Sequence, residues 1–299
     1  MFLIQAYARW PRFVRQGTHA YYERMRIDAH QHFWDISLLT YPWMPSDPSP
    51  LRRNYLPSDL QPILETHRFD GSIVVQAHHS LDEARWLLQL ASENSFIKGV
   101  VAWVDLTDPQ VGQALDELQQ DAHFKGVRHL VHDEPDPHWL LRPDVLRGLQ
   151  ELARRGIPYD LLLRPVHLPL VPTLAEKLPD LRMVIDHIAK PSISTGEFDN
   201  WARAMENVFP IPNLFCKLSG MITEAAWHNW SASDLRPYVA FVFQGFGPDR
   251  LMFGSDWPVC RLAGSWKEVF AACTQAMGPQ PMDVREQVLG ETATRFYRL

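Results

Sequence analysis

Eight short apolar runs, each followed by a longer stretch with helical spacing, leave this chain few folds to choose from. The runs fall at 26–30, 72–77, 97–104, 125–131, 158–163, 182–187, 213–219 and 250–256. Several are continuous, such as Ser72-Ile73-Val74-Val75-Gln76-Ala77 and Tyr159-Asp160-Leu161-Leu162-Leu163, the pattern expected of parallel strands covered on both faces. Amphipathic patterns separate and follow them at 58–67, 81–94, 108–121, 143–155, 168–178, 198–209, 233–246 and 265–277. Ser58-Asp59 and Asp108-Pro109 read as helix starts, and Gly156 after Arg154-Arg155 reads as a stop. Eight alternations predict a single-domain (β/α)8 TIM barrel, which typically takes about 250 residues, rather than an open doubly wound sheet. No Gly-x-Gly-x-x-Gly follows any of the runs, which argues against a dinucleotide site.

The barrel is expected to occupy 25–299. Residues 1–24 carry Arg9, Arg12, Arg15 and Arg24 against one acid, Glu23, and lack the apolar run and cleavage site of a secretory signal. They read as a leader or an upstream reading-frame extension, with the working protein starting near Met25. A proline-stiffened loop at 38–57 follows the first strand and would overhang the catalytic face. Its Tyr41, Trp43 and Tyr55 either wall a pocket or only pack the loop down. A net charge of -6 without basic tracts argues against nucleic acid and membrane surfaces. No apolar run reaches the roughly 18 residues of a membrane span. Three cysteines without Cys-x-x-Cys spacing suit a reducing compartment, so a cytoplasmic enzyme is expected. A homo-oligomer is compatible with the sequence.

In such barrels the working groups project from the carboxyl ends of the strands, and polar residues collect at those ends. They are His30 and His32 at strand one, Gln76, His78 and His79 at two, Arg128 and His129 at four, Asp186 and His187 at six, and Asp256 at eight. In a strand, His30 and His32 share one face about 6.6 Å apart and can converge on a metal, a water or a substrate oxygen. Alone, that pair reads equally well as one core and one solvated histidine. Lys217 sits inside an apolar run, where it either points at a pocket anion or pairs with a structural acid. Cys260 either lines the site or is a bystander thiol.

The segments Arg26-Ile27-Asp28-Ala29-His30-Gln31-His32-Phe33-Trp34-Asp35, Asp186-His187-Ile188-Ala189-Lys190-Pro191, Lys217-Leu218-Ser219-Gly220 and Gly254-Ser255-Asp256-Trp257-Pro258 together resemble the amidohydrolase superfamily. Within it they are similar to the sugar-lactonase branch, which includes L-fuconolactonases and L-rhamnonolactonases and is related to 2-pyrone-4,6-dicarboxylate lactonase. The resemblance implies a hydrolase that opens a lactone by attack of an activated water. It places His30, His32 and the Asp256 carboxylate around one divalent metal such as zinc, with His187 an alternative donor. Asp256 would be the general base, His187 a second catalytic group and Arg128 a holder of substrate oxygens. Trp34, Gln76 and His129 complete the expected substrate-contacting set. Two-metal members use a lysine at the end of strand four, but Arg128 and His129 stand there, and no histidine closes strand five. One metal or a metal-free mechanism is therefore expected. The runner-up is a pyrone-dicarboxylate lactonase or a decarboxylase on the same barrel, with Arg128, Arg164 and Arg261 over the pocket. A sugar-binding protein on an inactive barrel is a third reading, which the retained base disfavours.

Overall fold

The computed structural model describes residues 25–299, and the expectation concerning 1–24 lies outside the described residues. Eight parallel strands in the order β1 to β8 form the barrel wall. They are β1 (Ile27–Gln31), β2 (Gly71–Val75), β3 (Ile97–Ala102), β4 (Phe124–His129), β5 (Tyr159–Leu161), β6 (Met183–Ile185), β7 (Leu214–Leu218) and β8 (Leu251–Phe253). Around them pack α1 (Pro57–Thr66), α2 (Leu81–Glu93), α3 (Val111–Leu118), α4 (Pro143–Arg155), α5 (Val171–Lys177) and α6 (Asp199–Glu206). A short α7 (Met221–Glu224) precedes α8 (Ala232–Phe246) and α9 (Trp266–Met277), and α10 (Met282–Glu286) and α11 (Thr292–Tyr297) close the chain.

Helix ends follow local chemistry. Ser80 caps α2 by accepting from Asp82 and Glu83 amides, and Gly156 ends α4 in the left-handed conformation at φ 68°. Two expected starts shift. Asp108-Pro109 forms a turn, with Val111 N bonded to Asp108 O at 3.1 Å, and α3 begins beyond it. The stretch expected as one helix at 168–178 opens as a 3-10 turn, Pro165–Leu170, because Pro165 and Pro169 have no amide to donate.

Strand alternation splits the core in two. Ile27, Ala29, Ile73, Val75, Val101, Val184 and Met252 fill the barrel with Phe296 and Tyr297 of α11, while residues of opposite parity such as Val74 and Val100 pack against the helices. By parity Asp28 would share the face of His30 and His32. The pairing of β1 with β2 shifts register between Asp28 and Gln31, and Asp28 faces outward, accepting from Trp266 Nε1 and Ser255 N at 2.8 Å each. Its carboxylate thereby ties β1 to the end of β8. Burial pushes it up to about 6 against those bonds. The seam is finished by Asp256 N to His30 O at 2.8 Å and His32 N to Trp257 O at 2.7 Å. No helix of the described residues is long and apolar enough to cross a membrane.

Candidate active site

The carboxyl ends of the strands open into a cavity of about 240 Å³, below the roughly 300–1,000 Å³ of drug-sized pockets. It suits a ligand the size of one sugar. One wall is apolar, from Trp34, Trp43, Ala77, Leu130, Leu162 and Val259. The polar lining is His32, Arg128, His132, Asp133, His187, Lys190 and Asp256. The proline-rich loop supplies Trp43 and is tied down by an antiparallel bridge of Trp34 to Tyr55. Trp34 Nε1 donates to Arg53 O at 2.8 Å and Trp43 Nε1 to Ala77 O at 2.6 Å; Trp34 is fully buried, and Trp43 is partly exposed. Of the loop aromatics weighed for a pocket wall, Trp43 takes that place and Tyr41 and Tyr55 are buried.

Four side chains from β1, β6 and β8 meet at one point. His32 Nε2 lies 3.4 Å from Asp256 Oδ1, and His30 Nε2 and His187 Nε2 each lie 3.8 Å from the same oxygen. His30 and His32 are 3.2 Å apart through their Nε2 atoms. Close approach is built into the backbone: a Cβ on Gly220 would lie 2.5 Å from His187 Nδ1, and one on Gly254 would lie 2.6 Å from His30 Cβ. His187, Ile188, Ala189 and Lys190 all have positive φ, between 46° and 59°. For non-glycine residues this costs roughly 1–2 kcal/mol each. Such strain persists where surrounding structure enforces it and clusters at functional sites. The turn, closed by Lys190 N to His187 O at 2.8 Å, aims both side chains at one cavity. Asp256 also lies at φ 55°.

The other ring nitrogens have partners of their own. His32 Nδ1 sits 2.7 Å from Val75 O, which can only accept, so Nε2 carries the lone pair. His30 Nε2 is 3.2 Å from the Arg128 guanidinium, and its Nδ1 lies 3.2 Å from both Asp186 and the Lys217 ammonium. His187 Nδ1 pairs with Ser219 Oγ at 2.8 Å. Burial holds His30 and His187 well below the usual histidine range, so both are neutral at pH 7. Burial alone would raise Asp256, but the imidazoles of His187 and His32 and the Lys190 ammonium outweigh it, and the carboxylate stays ionised.

Beneath the site lies a buried charge network that strand spacing does not reveal. Lys217 contacts Asp160 at 2.5 Å, Asp186 at 3.0 Å and His30 Nδ1 at 3.2 Å, and Tyr297 donates to Asp160 at 2.8 Å. Lys217 therefore pairs with structural acids, the second of its two sequence readings. Arg128 joins the network through Asp186 at 3.1 Å and also donates to Gln76 O. Two expected substrate contacts need correcting. Gln76 is fully buried and does not line the cavity. His129 is stacked between His79 and Trp139, and its nitrogens serve Trp103 at 3.1 Å and Glu134 at 2.6 Å, so none is left for a ligand. Cys260 is buried and does not line the cavity. His132 and Lys190, absent from the expected set, do line it. A lysine inside the strand-six motif was the one available signal for Lys190.

Comparison with known proteins places this geometry. The profile of the amidohydrolase family matches residues 27–299. The chain belongs to that family and is one of its enzymes. It is 37% identical over 281 residues to an L-fucono-1,5-lactonase of Burkholderia ambifaria, covering 92% of this chain and 96% of the relative. An L-fucono-1,5-lactonase of Burkholderia multivorans is 36% identical with the same coverage of both chains. A crystal structure of an amidohydrolase from Burkholderia multivorans with bound zinc superposes with a TM-score of 0.85 at 36% identity, over 92% of this chain and 99% of that one.

The donor set here could hold one such ion. Tetrahedral donors about 2.0–2.1 Å from zinc stand roughly 3.3 Å apart, and the four inward atoms are spaced 3.2 to 3.8 Å along the contacts above. His30, His187 and Asp256 offer ligand atoms that all lie within 4.8 Å of one another. The outer nitrogens of His32 and His187 are braced by partners, as metal-ligating histidines are.

Proposed function

We propose that this chain hydrolyses a sugar lactone, with a 1,5-lactone of a monosaccharide acid as the substrate type and Asp256 as general base. The observation that carries the reading is an ionised carboxylate at the end of β8, ringed by three imidazoles in a sugar-sized cavity with an aromatic wall. The similarity to L-fucono-1,5-lactonases over nearly the whole chain supports the same class of substrate.

Trp43 gives the apolar face of a sugar ring something to rest on. A water beside Asp256 gives its proton to the carboxylate as its oxygen bonds to the lactone carbonyl carbon. Negative charge then develops on the carbonyl oxygen, facing a pocket wall that carries the Arg128 and Lys190 cations. When the ring C–O bond breaks, the proton held by Asp256 passes to the leaving oxygen, and the open hydroxy acid departs as a carboxylate. His30, His32, His187 and Asp256 would hold a zinc ion, if one is bound, and it would supply a lowered water pKa and polarisation of the carbonyl. The dicarboxylate and decarboxylase readings call for several arginines. Among the described residues Arg128 is the one arginine lining the cavity, Arg164 is exposed, and Arg261 lies 5.8 Å from the Tyr55 ring.

The test is a substrate panel of aldonolactones, a pyrone dicarboxylate and an aromatic acid, followed by indicator colour and ultraviolet absorbance. Acid release from a sugar 1,5-lactone well above its spontaneous rate is expected. Turnover confined to the pyrone or the aromatic acid would overturn the proposal. A cytoplasmic location belongs to the same proposal, checked by fractionation.

A further inference from the structure

At the end of the barrel away from the site, a second cavity of about 250 Å³ lies where β4, β5 and β6 begin and α11 ends. Four cations line it, Lys125, Arg155, Arg182 and Arg298, against one acid, Asp121. That acid is already engaged, accepting from the amide and ring of His123 at 2.8 and 2.9 Å. Arg155 is neutralised by Asp116 at 2.6 Å and Glu151 at 2.7 Å. The other three have no carboxylate partner among the described residues. Lys125 donates to Arg298 O at 3.2 Å, and Arg182 to the carbonyls of Phe296 and Gly156. Burial and the neighbouring Arg298 both work against the Arg182 charge. Arg298 itself is held at φ 53°, a conformation an arginine does not choose.

Three cations from three separate elements are gathered around one space, without a counterion among the described residues. We propose that this floor pocket binds a phosphate dianion, free or as a small phosphomonoester. Two guanidinium groups can each offer paired N–H donors to phosphate oxygens, and the ammonium adds a third charge. The space exceeds what a bare phosphate needs and leaves room for a short organic group.

The test uses the full chain and a readout independent of activity, the melting temperature in sodium phosphate at pH 8 against sodium chloride of equal ionic strength. A saturable rise with a midpoint in the low millimolar range is expected, weakened at least tenfold by Arg298→Gly and by Lys125→Gln. Glycine suits the left-handed backbone there, so the first variant keeps the fold. Lys190→Ala, in the cavity at the other end, should leave the rise intact. A second titration with glycerol 3-phosphate distinguishes the sources: tighter binding than phosphate marks an organic ester, weaker binding the free ion, and either supports the site. No saturable rise, a rise that both floor variants retain, or one that Lys190→Ala abolishes would overturn it.

Discussion

Replacing Lys217 with methionine isolates the charge network under the site. The ammonium is fully buried, 2.5 Å from Asp160 and 3.0 Å from Asp186, both also fully buried. Methionine fills the space but leaves Asp160 without a cation and Asp186 with Arg128 as its remaining one. Breaking a buried ion pair from one side costs about 3–5 kcal/mol. With an unfolding entropy near 2.1 cal/mol/K per residue, over the roughly 275 described residues, that loss lowers Tm by about 5–9 °C. The pH dependence carries the sharper test. Burial already holds Asp160 at about 6 with Lys217 pulling the other way. Without the cation, Asp160 is raised further above its unfolded value of about 3.9. A group so raised favours the fold below its unfolded pKa and loses that contribution as pH rises through the folded one. The variant's deficit against wild type should therefore be largest at pH 8 and shrink at pH 5, and Lys217→Met/Asp160→Asn should recover part of it at pH 8. Scanning calorimetry at both pH values checks this. A Tm loss under 2 °C, or an equal loss at both, would refute the reasoning.

Other expectations concern the site and its support. Arg128→Ala should lower kcat/KM about 100-fold, or ~2.7 kcal/mol, with Arg128→Lys restoring little because the fork to Asp186 and Gln76 O is lost; wild-type kinetics in either variant would contradict this. Glu83 accepts from the amides of Ala77 and His78, and burial pushes it from 4.5 up to about 8. Being raised in the fold, it should weaken stability as pH climbs from 4.5 to 8, by up to ~5 kcal/mol, and denaturation across that range should show a flatter profile in Glu83→Gln. Metal analysis after zinc loading and desalting should find no more than one ion per chain, lost in His187→Ala; two ions would contradict the single donor cluster among the described residues.

The sequence carried most of the frame because a barrel repeats one simple rule. Each strand is a short apolar run, each helix has its own period, and the eight expected strands overlap those of the structure. Helix starts beside prolines drifted, since Pro109, Pro165 and Pro169 favour turns as readily as helices. At the site, His30, His32, His187 and Asp256 were legible from their positions at strand ends. The grouping of His30 with His32 came out right by parity that ignored Asp28, whose outward turn depends on a register shift invisible in one strand. Gln76 and His129 stood at equally suitable places, yet a neighbouring carbonyl and a ring stack decided otherwise. The Asp160–Lys217–Asp186 network joins three strands, and nothing local announces such a pairing.

The most direct measurement is kcat/KM of Asp256→Asn on a sugar 1,5-lactone, beside its melting temperature. Asparagine tolerates the left-handed backbone at this position, so the fold should persist while turnover falls by about 10²–10⁴. A variant that melts like the wild type and keeps its rate within tenfold would contradict the assignment of Asp256 as the base.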